Sequence, residues 1–171
     1  MSGMKVRYLF ASLVFAGCSF QASCGGKSLN MENAKKFVST TLEADVGKAP
    51  TTVSCPEKVK IEKGAKFACT ADYGNGAMAT VEITQNDDQG NVTMSKISGI
   101  LVAKRAEEAI AKMIGEQANV HVTAECGERV HPAKAGATIM CTAKDANGQT
   151  AQVEVLVKDT DGNVSMKVVK Q

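Results

Sequence analysis

The chain has 171 residues, of which 20 are basic and 18 acidic, giving a formal net charge of +2; 44% are hydrophobic, two are Tyr and none is Trp. Lys5 and Arg7 lie in a leader segment that has no acidic residue, so the remaining 18 basic side chains face 18 acidic ones. A neutral chain with no basic patch interleaved with aromatics argues against nucleic acid as a partner, and the scarcity of Trp and Tyr argues against stacking platforms for sugars or bases.

Residues 1–17 are expected to be a signal peptide. Lys5 and Arg7 precede the apolar run Tyr8-Leu-Phe-Ala-Ser-Leu-Val-Phe-Ala16, which is shorter than the roughly 20 apolar residues a spanning helix needs. Phe15-Ala-Gly-Cys18 resembles the bacterial lipobox, in which cleavage precedes a cysteine that becomes lipid-modified, although Phe15 stands where Leu is usual. Cys18 is therefore the expected lipidation site; Cys24, after Gln-Ala-Ser, is the poorer choice. Each buried methylene contributes about 0.8 kcal/mol, so two or three acyl chains hold a protein at a membrane without any transmembrane helix. The expected location is the bacterial cell envelope, at the periplasmic face or the cell surface. Residues 18–29 read as a flexible linker. Gly26-Lys-Ser28 resembles the end of a phosphate-binding loop, but Gln21 stands where the first glycine is required.

A first module is expected over residues 30–98. Asn30 can cap a helix whose apolar residues Met31, Ala34, Val38 and Leu42 recur at three- and four-residue steps, with Phe37 widening the stripe and Gly47 as a stop. The period then changes to two. Strands are expected leading into Cys55, around Phe67–Ala71, through Val81 and Ile83, and through Val92 and Met94. Asn75-Gly76 and Asp87-Asp-Gln-Gly90 mark turns between them, the first as a two-residue hairpin. Ser98-Gly99 breaks the pattern, and the two modules are expected to pack closely.

The second module, residues 101–171, repeats the first. The stripe returns as Ala103, Ala106, Ile110 and Ile114, with Glu108 and Lys112 one turn apart on the outside. Val120, Val122 and Ala124 alternate with His121 and Thr123 into Cys126. Strands follow around Ile139–Ala143, through Val153, Val155 and Val157, and through Val164, Met166 and Val168, with Asn147-Gly148, again expected as a two-residue hairpin, and Asp159-Thr-Asp-Gly162 as turns. From Cys69 to Met94 the shift is a constant 72 residues, with 13 of 26 positions identical, which marks two copies of one unit. The expected fold is α+β: two tandem modules, each one helix on a four-stranded antiparallel sheet, each with one disulfide.

Modules of about 70 residues bury little apolar surface, and exported domains of this size commonly add a covalent staple. Cys55 and Cys69 are 14 residues apart and Cys126 and Cys141 are 15 apart. Of three possible connectivities, pairing within each copy is the one compatible with modules that were once independent. The alternative is a metal-dependent site in the second module, since His121, Cys126, His131 and Cys141 can be drawn as a zinc set. The first copy keeps both cysteines but carries Lys60 where the second has His131, which favours disulfides, so no metal and no cofactor is expected. Asp159-x-Asp161-Gly162-Asn163 resembles part of a calcium loop, yet the distal Glu is absent and hairpin turns use the same residues. No nucleophile–base–acid set is shared by the copies, so an enzyme is not expected.

Val53-x-Cys55-Pro56-x-x-Val59, Gly64-x-x-Phe67-x-Cys69-Thr70 and the later Asp87-x-x-Gly90-Asn91-Val92 resemble the domain-of-unknown-function family 4333 of exported bacterial proteins. With the second copy, where Gly127 replaces the proline, the resemblance covers nearly all of the mature chain. It implies export and a disulfide-stapled α+β fold, and carries no ligand. The expected function is non-enzymatic binding or scaffolding by an envelope lipoprotein, held to the membrane by its lipid anchor and engaging an envelope protein or other ligand. An inhibitor or accessory subunit of an envelope protease or wall enzyme is the alternative.

Overall fold

The computed structural model describes residues 27–169. Cys18 and Cys24 lie outside the described residues. The first helix, α1, spans Met31–Val46. The Asn30 side chain accepts from the Asn33 N–H at 3.0 Å, and Gly47 ends the helix with φ +77°, a left-handed cap that costs glycine little. Four strands follow: β1 (Thr52–Ser54), β2 (Lys66–Asp72), β3 (Met78–Gln85) and β4 (Val92–Ser98). They form an antiparallel meander in chain order. Val38, Leu42 and Val46 of α1 pack with Cys69, Ala71, Val81 and Ile83 as the first core, and Ala34 is buried on the same helix face.

The second module has the same plan. Helix α2 (Ala103–Ala118) precedes β6 (Val122–Glu125), β8 (Thr138–Asp145), β9 (Thr150–Val157) and β10 (Val164–Val169), with β6-β8-β9-β10 again a meander. Ala106 and Ile110 meet Val122, Cys141, Val153 and Val155 in its core. On the outside, Lys104 pairs with Glu108 at 3.9 Å and Lys112 with Glu116 at 4.0 Å, rather than Glu108 with Lys112. The constant shift of 72 ends where it does for a structural reason. In the first copy Ile83 pairs with Met94 but Glu82 with Lys96, so Ser95 bulges; in the second, Val155 pairs with Met166 and Glu154 with Lys167 without interruption. One extra residue in β4 resets the register of the two copies.

Three expectations need correction. Neither Asn-Gly turn is the expected two-residue hairpin: Tyr73 N–H donates to Ala77 O just as Asp145 N–H does to Gln149 O, leaving three loop residues in each copy. In the first copy Gly74, Asn75 and Gly76 all have positive φ, whereas in the second Gly148 alone does (φ +83°). There Gly148 N–H donates to Asp145 O and Asp145 N–H to Gln149 O, the three-residue loop of a type I turn followed by a left-handed glycine. Val120 does not join the apolar alternation: it follows the left-handed Asn119 cap of α2 and is exposed, and β6 starts at Val122. Finally, the modules begin earlier than the helices. Residues 27–29, expected in the linker, bridge the first module: Leu29 N–H donates to Val59 O and Ile61 N–H to Lys27 O, around a Ser28–Lys60 bridge. The same feature is longer in the second module, where β5 (Ile100–Val102) pairs with β7 (Val130–Pro132).

This β5–β7 ribbon joins the modules. Ile100, Val102 and Val130 belong to the first module's core, while Leu101 faces the second's. Because successive side chains of a strand point to opposite sides, three residues serve two cores. Val102 runs directly into α2, which lacks a side-chain cap; the Arg129 carbonyl accepts the Ala103 N–H instead. Gly99, at φ +87°, donates its N–H to Thr160 O of the second module, and Lys96 reaches Asp161 at 2.9 Å.

Candidate ligand groove

Cys55 and Cys69 form one disulfide and Cys126 and Cys141 the other. The strand register explains this. Ser54 pairs with Thr70 and Glu125 with Thr142, so the next step along each strand places the two cysteines opposite each other. The sulfurs are thereby removed from any metal set. Among the described residues no group of three or more His, Cys, Asp or Glu side chains gathers. His121 is exposed just before β6. His131 lies in β7 opposite Leu101, half-buried, with Nε2 2.9 Å from the Cys126 carbonyl oxygen. That contact fixes the cysteine loop against the ribbon and gives His131 a structural role.

The acidic turns are likewise explained by the backbone. Asp87 Oδ1 accepts from the N–H groups of Gln89 and Asn91, and its Oδ2 from the Asn91 amide at 2.6 Å; Asp159 repeats this with Asp161 and Asn163, the amide at 2.7 Å. These bonds, led by the one from the asparagine amide, hold both carboxyls below the usual carboxylate range. The resemblance to a calcium loop is thus a turn that closes on itself in both copies.

The feature with the shape of a binding site was not legible in the sequence. Helix α1 lies over the β1–β2 side of its sheet, which leaves the inner face of β4 half-covered. Between them runs a groove of three adjoining clefts, of about 490, 450 and 100 Å³. The first two share Phe37 and Val92, and the last two share Ile97 and Arg105. Its floor is apolar and half-buried: Phe37, Val92, Met94 and Ile97. Its rim is polar, with Asn33 and Asn91 at one end and Thr41, Asp45 and Lys96 along the sides. Arg105, from α2, stands at the far end beside Asp161. The Lys96 ammonium is held charged, its pKa raised by the hydrogen bond to Asp161 and then by that carboxylate's charge. The groove is therefore composite: the first module supplies floor and walls, and the second supplies the end. Apolar surface bordered by a few hydrogen-bonding groups suits an extended ligand of mixed polarity. The widening residue Phe37 was the one sequence signal, because a large side chain beside rather than on a helix stripe marks where the covered face ends.

Fold, staples and groove define a class, a tandem disulfide-stapled α+β protein of an oxidising compartment. No described helix is long and apolar enough to cross a membrane. The chain belongs to the family described as domain of unknown function (DUF4333), whose pattern matches residues 13–90 and again 97–162. The second match includes β5, so the repeated unit carries its lead-in strand as well as helix and sheet. No curated protein and no solved structure matches the chain.

Proposed function

We propose that this is a bacterial cell-envelope lipoprotein, anchored through Cys18, that works as a non-enzymatic binding protein. The groove between α1 and β4 carries this reading. There apolar side chains of the first module remain half-exposed in a row, flanked by groups able to donate and accept hydrogen bonds. An extended segment of an envelope protein has the mixed chemistry that such a groove favours, with alternate side chains on the Phe37–Met94–Ile97 floor and backbone groups toward Asn33, Thr41 and Lys96. The second module, in this reading, is a buttress that closes the groove with Arg105.

Two observations support the address. The disulfides fit an oxidising, extracytoplasmic compartment. The first family match starts at residue 13 and so includes Cys18, whereas the second starts only 29 residues before its first module cysteine, Cys126. Membrane fractionation of Cys18→Ser tests the anchor: the variant is expected in the soluble exported fraction, without acyl label. Retention with salt-washed membranes contradicts lipidation at this residue. Site-directed cross-linking from the groove tests the binding half.

A further inference from the structure

We propose that the free edge of β10 is a self-association surface, pairing with β10 of a second copy about a twofold axis that passes through Met166. The edges of the two sheets differ in how they are protected. Strand β1 is three residues long and ends at a disulfide; β6 is four residues long and packed under α2. Strand β4 is bulged at Ser95, and its Lys96 is tied to Asp161. Short, bulged, charged or covered edges resist pairing with other chains. Strand β10 carries a single lysine, Lys167, and among the described residues is neither short, bulged nor covered. It pairs with β9 without a bulge over six residues, four of them apolar, and leaves Val168 41% and Val169 37% exposed.

The backbone directions fix which residues are free. In β9 the Val157 N–H donates to Ala137 O, on the β8 side. By alternation, Leu156, Glu154 and Gln152 face β10, so Ser165, Lys167 and Val169 use their backbone groups on β9. Val164, Met166 and Val168 then present theirs outward, and among the described residues no backbone partner takes them. In an antiparallel pair, opposite residues share a face, so the axis falls on a residue rather than between two. An axis on Lys167 sets two ammonium groups against each other, which is unfavourable. An axis on Ser165 leaves Val168 without a strand partner. An axis on Met166 pairs Met166 with itself and Val164 with Val168, using all three free residues of each copy. On the other face it sets Ser165 opposite Lys167. The strand is thus complementary to itself in hydrogen bonding and apolar contact in one register, with no like charges opposed, as a twofold interface requires.

The test uses the full chain. Met166→Cys places the two thiols across the axis and is expected to give a disulfide-linked dimer on a non-reducing gel after export. Met140→Cys, 51% exposed on β8, is expected to stay monomeric. Independently, Ser165→Glu adds two ion pairs with Lys167 per dimer, and Ser165→Lys adds two repulsions. In detergent-solubilised protein by sedimentation equilibrium, the first is expected to tighten dimerisation roughly two- to tenfold and the second to weaken it by a similar factor, with unchanged circular dichroism. Equal cross-linking at 140 and 166, or Ser165→Glu and Ser165→Lys moving dimerisation in the same direction, overturns the proposal. A chain that stays monomeric throughout, or an edge occupied by a different protein, overturns it too. Val164 borders the small end cleft of the groove, whereas the substituted residues Met140, Ser165 and Met166 line none of its three clefts, so the two proposals are read out separately.

Discussion

Tyr73 and Gly99 show how single residues set the limits of this fold. Tyr73 is 3% exposed and its hydroxyl, alone among the described side chains, is buried without a hydrogen-bond partner. Burial, and then the negative charge of Asp45, push its pKa from 10.0 up to about 12. The folded state therefore holds the phenol proton more tightly than the unfolded chain does. Its contribution is fully present below pH 10 and is lost as pH rises from about 10 through about 12. Alkaline unfolding should accordingly be steeper in the native protein than in Tyr73→Phe. At neutral pH the same variant should be neutral to about 1 kcal/mol more stable in urea melts, since it deletes an unpaired buried group. Gly99 has the opposite sensitivity. Its φ of +87° is strained for any other residue, and a Cβ there would strike the Met78 carbonyl oxygen. Gly99→Ala is expected to cost roughly 1–3 kcal/mol by thermal denaturation. Gly47→Ala, where nothing stands within 4 Å, carries only the φ penalty and should cost less. Gly99 was legible as a break in the pattern; the reason for it, a close approach of two backbones, was not.

At the scale of elements, the sequence was most readable where local rules act alone. The Asn30 cap, the Gly47 stop, the helix stripes and, Val120 apart, the alternating strands follow from side-chain period and backbone preference, and they appear where expected. Strand β5 was missed because Ile100-Leu101-Val102 is buried on both sides, so it has no alternation, and because it enters α2 without a turn. Both Asn-Gly loops were misread because the same dipeptide closes two- and three-residue loops; Asp72, accepting from Gly74, and Asp145, accepting from Asn147 and Gln149, brace the longer form. The disulfides were readable because the copies agree. Each closes a short loop, with separations of 14 and 15 residues, and such a loop is worth about 3 kcal/mol in the chain-entropy model. Cys126→Ser with Cys141→Ser should lose about that much by urea titration, with the β6–β8 end of the second module exchanging amide hydrogens fastest. A loss below about 1 kcal/mol would mean that packing around Cys141, which is fully buried, already holds the loop closed.

On the scale of the whole molecule, the repeat is not two beads on a string. The β5–β7 ribbon contributes to both cores, and Gly99, Lys96 and Lys48 reach across to Thr160, Asp161 and Glu128. This docking brings Arg105 to the end of the α1–β4 groove, so the proposed binding site belongs to the pair of modules rather than to either copy. That explains why comparison of the copies, which located the staples, could not locate the groove: its floor depends on Phe37, whose counterpart in the second stripe is Ala109, and on where α1 sits over its sheet. The proposal of a lipid-anchored binding protein stands or falls at this groove. The most direct measurement places a photo-activatable cross-linking residue at Thr41, on the groove rim, and separately at Thr80, on the outer face of the same sheet, and irradiates intact cells. A discrete adduct from position 41, absent from position 80 and lost when Met94→Lys is added in a folded protein, is the predicted result. No adduct from position 41, or the same adducts from both positions, would contradict it.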